Sequence, residues 1–91
     1  MRFAYEASFW KSTVRLSLAE RHKIVKAVTK FERALEAGAI PAGLGFTHLR
    51  EDFFEFRVGI HKRIIFQRGP QIIRYVIYGS HDDVVRLLKR L

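Results

Sequence analysis

The segment FEFRVGIHKRIIF, residues 54–66, restricts the fold more than any other part of the chain. Phe54, Phe56, Val58, Ile64 and Phe66 all carry even numbers. Side chains alternate along a strand, so in a hairpin they share one face only if paired residue numbers sum to an even value. A loop over Gly59–His61 meets that condition. Phe54 then faces Phe66 and Phe56 faces Ile64, while Arg57 lies opposite Arg63 and Glu55 opposite Ile65. A loop one residue shorter would mix apolar and charged residues on both faces. Directly opposed like charges cost up to about 1 kcal/mol. An anion seated between the two guanidiniums would account for that cost, since arginines hold phosphate in fixed bidentate geometry.

The following hairpin turns at RGPQ, residues 68–71, over Gly69 and Pro70. In the register this turn suggests, Arg63 pairs with Val76, Ile65 with Arg74 and His61 with Tyr78. Arg57, His61, Arg63, Arg74 and Tyr78 would then share one face, with His81 entering from the next loop. Such a basic face with aromatic and titratable groups suits RNA better than duplex DNA. Charge points the same way. Seventeen Lys and Arg against nine Asp and Glu give +8 over 91 residues, a bias toward polyanionic partners.

The rest of the chain supplies elements for a single domain over residues 1–91. Arg2–Ala7 alternates as a short strand, and a helical turn is expected around Phe9–Leu16. SLAE at Ser17–Glu20 has the form of a capping box, with the Glu20 carboxylate reaching back. Ile24, Val28, Phe31 and Leu35 continue at helical spacing to Gly38, a good residue just past a helix end, with Pro41 beyond. GAIPAGLGF, residues 38–46, reads as a loop within the domain. Strands follow at 46–49, 53–58, 62–67 and 71–78. A final helix over 80–91 is capped by Ser80 with Asp83 in its third position. The fold class is α+β: an N-terminal strand, an α-helical hairpin, an antiparallel β-meander and a C-terminal helix. Cysteine is absent, which excludes disulfides and thiolate metal sites. No apolar run approaches a membrane span, and the N-terminus lacks a secretory signal, so no membrane partner and a cytoplasmic location are expected.

HLREDFFEFRVGIHKRIIF and IIRYVIYGSHDDVVRLL resemble the RelE/ParE superfamily of bacterial toxins. Leu49, Phe54, Arg57, Val58, Gly59, Arg63, Gly79, Ser80 or His81, and Val84 match its pattern, and the order of elements agrees across nearly the whole chain. The resemblance to the RelE-like branch implies an mRNA interferase acting in the ribosomal A site. Its partners would be mRNA, the ribosome and a cognate antitoxin with an acidic segment, in a DNA-binding complex. It implies no cofactor and no metal: the ribose 2′-OH attacks its own adjacent phosphate. Arg63 would then bind the scissile phosphate, Arg57 would orient it, and His81 would act as general acid or base. His61, Lys62, Arg74, Tyr78 and Arg50 would contact RNA. The ParE-like branch implies instead a non-catalytic inhibitor of DNA gyrase, and a third alternative is an inactive relative that only binds antitoxin or RNA. Val85 stands where many RelE-like sequences have Tyr, and a lysine pair before the hairpin is missing, with Arg50 and His48 the nearest basic groups.

Each of these residues also has a plainer reading. Arg57 and Arg63 could form a solvated strand face or pair with Glu55 and Glu51. His81 could simply start a helix, and His61 could be exposed in its loop. Lys23, Lys26 and Lys30 lie along one helical flank, ordinarily a solvated one, for which the resemblance implies ribosomal RNA or an acidic antitoxin as the alternative. Phe9 and Trp10 are expected to pack beneath the helical hairpin.

Overall fold

The computed structural model describes residues 1–39 and 45–91. Its elements are β1 (Arg2–Tyr5), α1 (Ala7–Thr13), α2 (Leu18–Glu36), β2 (Thr47–Arg50), β3 (Phe53–Val58), β4 (Lys62–Arg68), β5 (Ile72–Gly79) and α3 (His81–Lys89). One sheet has the order β1-β5-β4-β3-β2. Strands β2 to β5 form the expected antiparallel meander, and β1 adds in parallel against β5, with Phe3 beside Ile73. The parallel pairing was not expected. The helical hairpin carries the chain across the sheet, so the first strand and the last become neighbours. Strand β1 also ends sooner than expected, because Ala7 already begins α1.

The two helix starts were legible in the sequence, one of them incompletely. The Ser17 hydroxyl accepts from the Glu20 backbone N–H at 3.1 Å. The Glu20 carboxylate does not reach back, because it accepts from the Tyr78 hydroxyl at 3.3 Å. Helix α3 has the full reciprocal cap between Ser80 and Asp83. Donation from the Ser80 backbone, then from Arg86 and the Ser80 hydroxyl, holds the Asp83 carboxyl below its usual range. Helix α2 ends at Glu36, and Gly38 takes the left-handed conformation with φ 76°. Pro41 lies outside the described residues.

The core sits between α1, α2 and one face of the sheet. The Phe31 ring meets Phe56 at 4.6 Å and Phe66 at 4.7 Å, and Phe9, Ile64, Ile73 and Tyr75 complete the buried cluster. Phe9 is therefore core, as expected. Trp10 is not: it is 56% exposed and leans on the Tyr5 ring. Helix α3 packs on the opposite face. Ile65 and Val84 are buried there, outside the main cluster, and Arg50 ties β2 to the far end of α3 by donating to the Leu88 carbonyl at 3.3 Å.

Candidate functional site

The β3–β4 hairpin has the register its parity predicts. Phe54 pairs with Phe66, Phe56 with Ile64, Arg57 with Arg63 and Val58 with Lys62, and Gly59 takes φ 73° in the loop. The even-numbered side chains meet α2, and Glu55, Arg63 and Ile65 lie on the opposite face. Among the described residues, strand β2 pairs only with Phe53–Glu55, which leaves β3 without a strand partner on that edge from Phe56 to Val58.

The like charges of Arg57 and Arg63 do not confront one another across a gap awaiting an anion. Arg63 already has one inside the protein. Its Nη1 donates to both carboxylate oxygens of Glu55, at 2.9 and 3.1 Å. Glu55 is only 4% exposed, and the Arg63 side chain 22%. A carboxylate this buried needs a charged partner, and its diagonal neighbour supplies one. The bonds to Glu55 use Nη1 alone. Arg57 takes another direction. Its aliphatic stem lies so close to Gly45 that a Cβ there would come within 2.6 Å of Arg57 Cγ. The head is exposed beside Lys23, Lys26 and Lys30 of α2.

The β4–β5 register differs from the expected one. Arg68 pairs with Ile73, the turn closes with Gly69 N–H to Ile72 O at 2.8 Å, and Val76 is an extra residue bulged out between Tyr75 and Ile77. Arg63 therefore lies opposite Gly79, not Val76, and Ile64 lies opposite Tyr78. The consequence for Tyr78 is a change of face. It points into the α2 side, buried, with its hydroxyl on Glu20. Burial first, then the Glu20 charge and hydrogen bond, pushes its pKa up to about 12. Lys62 is on that face by its pairing with Val58, with Nζ 6.0 Å from the Tyr78 ring centre. Arg74 stays on the Arg63 face but lies opposite Gln67, two residues farther along β4 than the expected Ile65, and pairs with Glu6 at 3.6 Å. The predicted cluster of Arg57, His61, Arg63, Arg74 and Tyr78 is thus not formed as one patch.

The shifted register brings another residue near. With Arg63 opposite Gly79, His81 lies two residues on and is exposed at the first position of α3. Gly79 is required there, because a Cβ would come within 2.6 Å of Asp83 Oδ2 and 2.8 Å of its Cβ. His61 is exposed in the hairpin loop on the same end of the sheet. Arg50 is committed to the Leu88 carbonyl and approaches Glu51 at 3.7 Å. His48 Nε2 donates to the Glu51 carbonyl, 2.7 Å away, and its ring packs on Phe54. Among the described residues no group of His, Asp and Glu is arranged to hold a metal ion. Glu55 is the partner named in the plainer reading of the arginines, and the pair with Arg63 forms, but its burial was not anticipated. Its signal was present: an acid alone among apolar neighbours, one position diagonal from Arg63.

No family model matches the chain, and no curated protein sequence does. Solved structures do. YafQ from E. coli strain BL21(DE3) superposes with a TM-score of 0.67 at 17% identity, covering 92% of this chain and 98% of its own. RelE from the RelB-RelE antitoxin-toxin complex of Methanococcus jannaschii gives 0.69 at 13% identity, with 92% and 96% covered. The YoeB/ParE toxin from Agrobacterium tumefaciens gives 0.64 at 17% identity, with 89% and 99% covered. The chain has the RelE-like toxin fold over nearly its whole length.

Proposed function

We propose that this chain is the toxin of a toxin–antitoxin pair and that it cleaves mRNA, bound on the ribosome, through attack of a ribose 2′-OH on the adjacent phosphate. The new bond is from O2′ to phosphorus and the broken bond is from phosphorus to O5′. The products are a 2′,3′-cyclic phosphate and a 5′-OH. One proton leaves the 2′-OH and another reaches the departing O5′. The observation that carries the reading is the pairing of Arg63 with Gly79, which starts α3, with its exposed His81, two residues beyond the position opposite Arg63. Glu55 fixes one nitrogen of the Arg63 guanidinium, and the opposite edge is directed at the phosphate, where it stabilises the charge that develops in flight. His81 handles one of the two protons. Arg57 and His61 flank the strand. The full-length likeness to RelE and YafQ supports the toxin assignment, and the antitoxins in the DinJ-YafQ and RelB-RelE complexes support a cognate antitoxin as partner. A cytoplasmic location follows from that role.

Arg63→Lys tests the reading without confounding it with folding. The ammonium keeps a cation against Glu55, whereas Arg63→Ala would strand a buried carboxylate. Growth inhibition by the induced chain should fall at least about a hundredfold in plating efficiency terms, the scale of losing one transition-state donor. Circular dichroism and soluble yield should be unchanged. Undiminished growth arrest from soluble Arg63→Lys would remove Arg63 from the chemistry.

A further inference from the structure

The polar flank of α2 does not behave as an ordinary solvated face. Lys23, Lys26, Lys30 and Arg33 follow one another at helical spacing, advancing about 4.5, 6 and 4.5 Å along the axis. All four are exposed. Two of the three α2 carboxylates are engaged elsewhere: Glu32 accepts from the Tyr75 hydroxyl at 2.7 Å and Glu20 from Tyr78 at 3.3 Å, while Glu36, at the end of the helix, forms no ion pair with the flank among the described residues. Among the described residues, none of the ion pairs involves Lys23, Lys26, Lys30, Arg33 or Arg57. Between this flank and the Val58 end of β3 runs a groove of about 310 Å³. Lys23, Lys26, Lys30 and Arg57 line it, over a floor of Ala27 and Val58, with no acid and no aromatic ring among its described lining residues.

We infer that this groove holds the sugar–phosphate backbone of the RNA strand, as a site separate from the one at Arg63 and His81. The proposal rests on the nucleic-acid reading above for the class of its ligand. Four unpaired cations set a few ångströms apart in a row match a repeating anion and exceed what a single phosphate can use. The lack of an aromatic lining leaves nothing on which a base could stack, so the groove reads charge and not sequence. An acidic protein segment is the weaker fit, because protein interfaces draw their affinity from buried aromatic and aliphatic anchors. Those are found on the other flank of α2, around Tyr5, Trp10 and Val25. Arg57 thus belongs to the groove, and the strand it guides continues over the hairpin end toward Arg63.

The test is fluorescence anisotropy with a labelled 2′-O-methyl oligonucleotide, which lacks the attacking hydroxyl, so binding is read whether or not the chain cleaves RNA. Binding is followed against salt for the wild type, for K23Q/K26Q/K30Q, and for K11Q/K89Q/R90Q, which loses the same charge elsewhere on the surface. The groove variant should lose about two units of the slope of log K against log salt, and about a hundredfold in affinity at 0.1 M salt. The surface control should lose less than a third as much. Equal losses in the two variants, or no binding by the wild type, would overturn the site. Displacement of the oligonucleotide by polyglutamate as effective, charge for charge, as by unlabelled oligonucleotide would overturn the choice of nucleic acid over an acidic protein.

Discussion

The two faces of the central sheet are built on different principles. The face toward α2 is aromatic and dry, with Phe31 stacked on Phe56 and tilted against Phe66, and its two buried tyrosine hydroxyls are both satisfied by carboxylates of α2. The face toward α3 has a smaller apolar contact, centred on Ile65 and Val84, and an ion pair between Glu55 and Arg63. Apolar burial scales with area, whereas a buried ion pair gains little net stability after desolvation. The α2 face therefore holds the fold together, and that allows the α3 face to keep charged groups near its surface. A chain of this size has one face to spend on chemistry because the other supplies nearly all of the core.

The largest effect that would break this comparison lies at the centre of the α2 face. Phe31→Ala should destabilise the protein by about 3–5 kcal/mol in urea unfolding, as large-to-small changes at fully buried aromatic positions do. A loss below about 1 kcal/mol would mean the α2 face is not the main support. On the α3 face, Glu55→Ala should cost less, roughly 2 kcal/mol, because the stranded Arg63 remains partly in contact with water. It should also abolish growth inhibition, since the guanidinium loses the contact that aims it. Glu55→Ala with wild-type toxicity would separate the ion pair from function. Gly79→Ala comes next. The added methyl displaces Asp83 from the α3 cap, at a cost of about 1–2 kcal/mol, and should weaken growth inhibition through the misplacement of His81.

The smallest effect distinguishes the faces by pH. All three tyrosines are on the α2 side of the molecule, and burial raises the pKa of each from 10.0, with Glu20 adding to the rise at Tyr78 and Glu32 at Tyr5 and Tyr75. A raised folded pKa stabilises the protein fully below the unfolded value and loses that contribution as pH climbs toward the folded one. Stability should therefore decline from about pH 10, with the Tyr78 contribution gone above about 12. Tyrosinate absorbance in the native protein should stay low at pH 10.5. Asp83 has the opposite sign. Its lowered pKa makes the α3 cap weaken as pH falls below its usual value of 3.8. Ordinary tyrosine titration in the folded chain would show that the buried hydroxyls are not held as described.

Much of this arrangement was legible in the sequence, and the boundary of legibility has a physical cause. The β3–β4 register follows from one set of even-numbered apolar residues and a loop that only one length can close, so alternation leaves a single solution. Strand β5, IIRYVIYG, is apolar on both faces, because α2 covers one and α3 the other, and alternation no longer selects a register. The bulge at Val76 then moved Tyr78 away from the arginines and brought His81 toward them. The parallel pairing of β1 with β5 depends on where the helical hairpin crosses the sheet, which no local pattern encodes. Glu55 was assigned its correct face but not its burial, at 4% exposure beneath the Arg63 head.

Primer extension on cellular mRNA, after induction of the wild-type chain, Arg63→Lys and His81→Ala, addresses the central claim most directly. Cleavage sites within translated frames for the wild type, lost in both variants while the proteins remain soluble, are the result expected if the α3 face carries the chemistry. Growth arrest by the wild type with intact mRNA, or undiminished cuts from both variants, would contradict it.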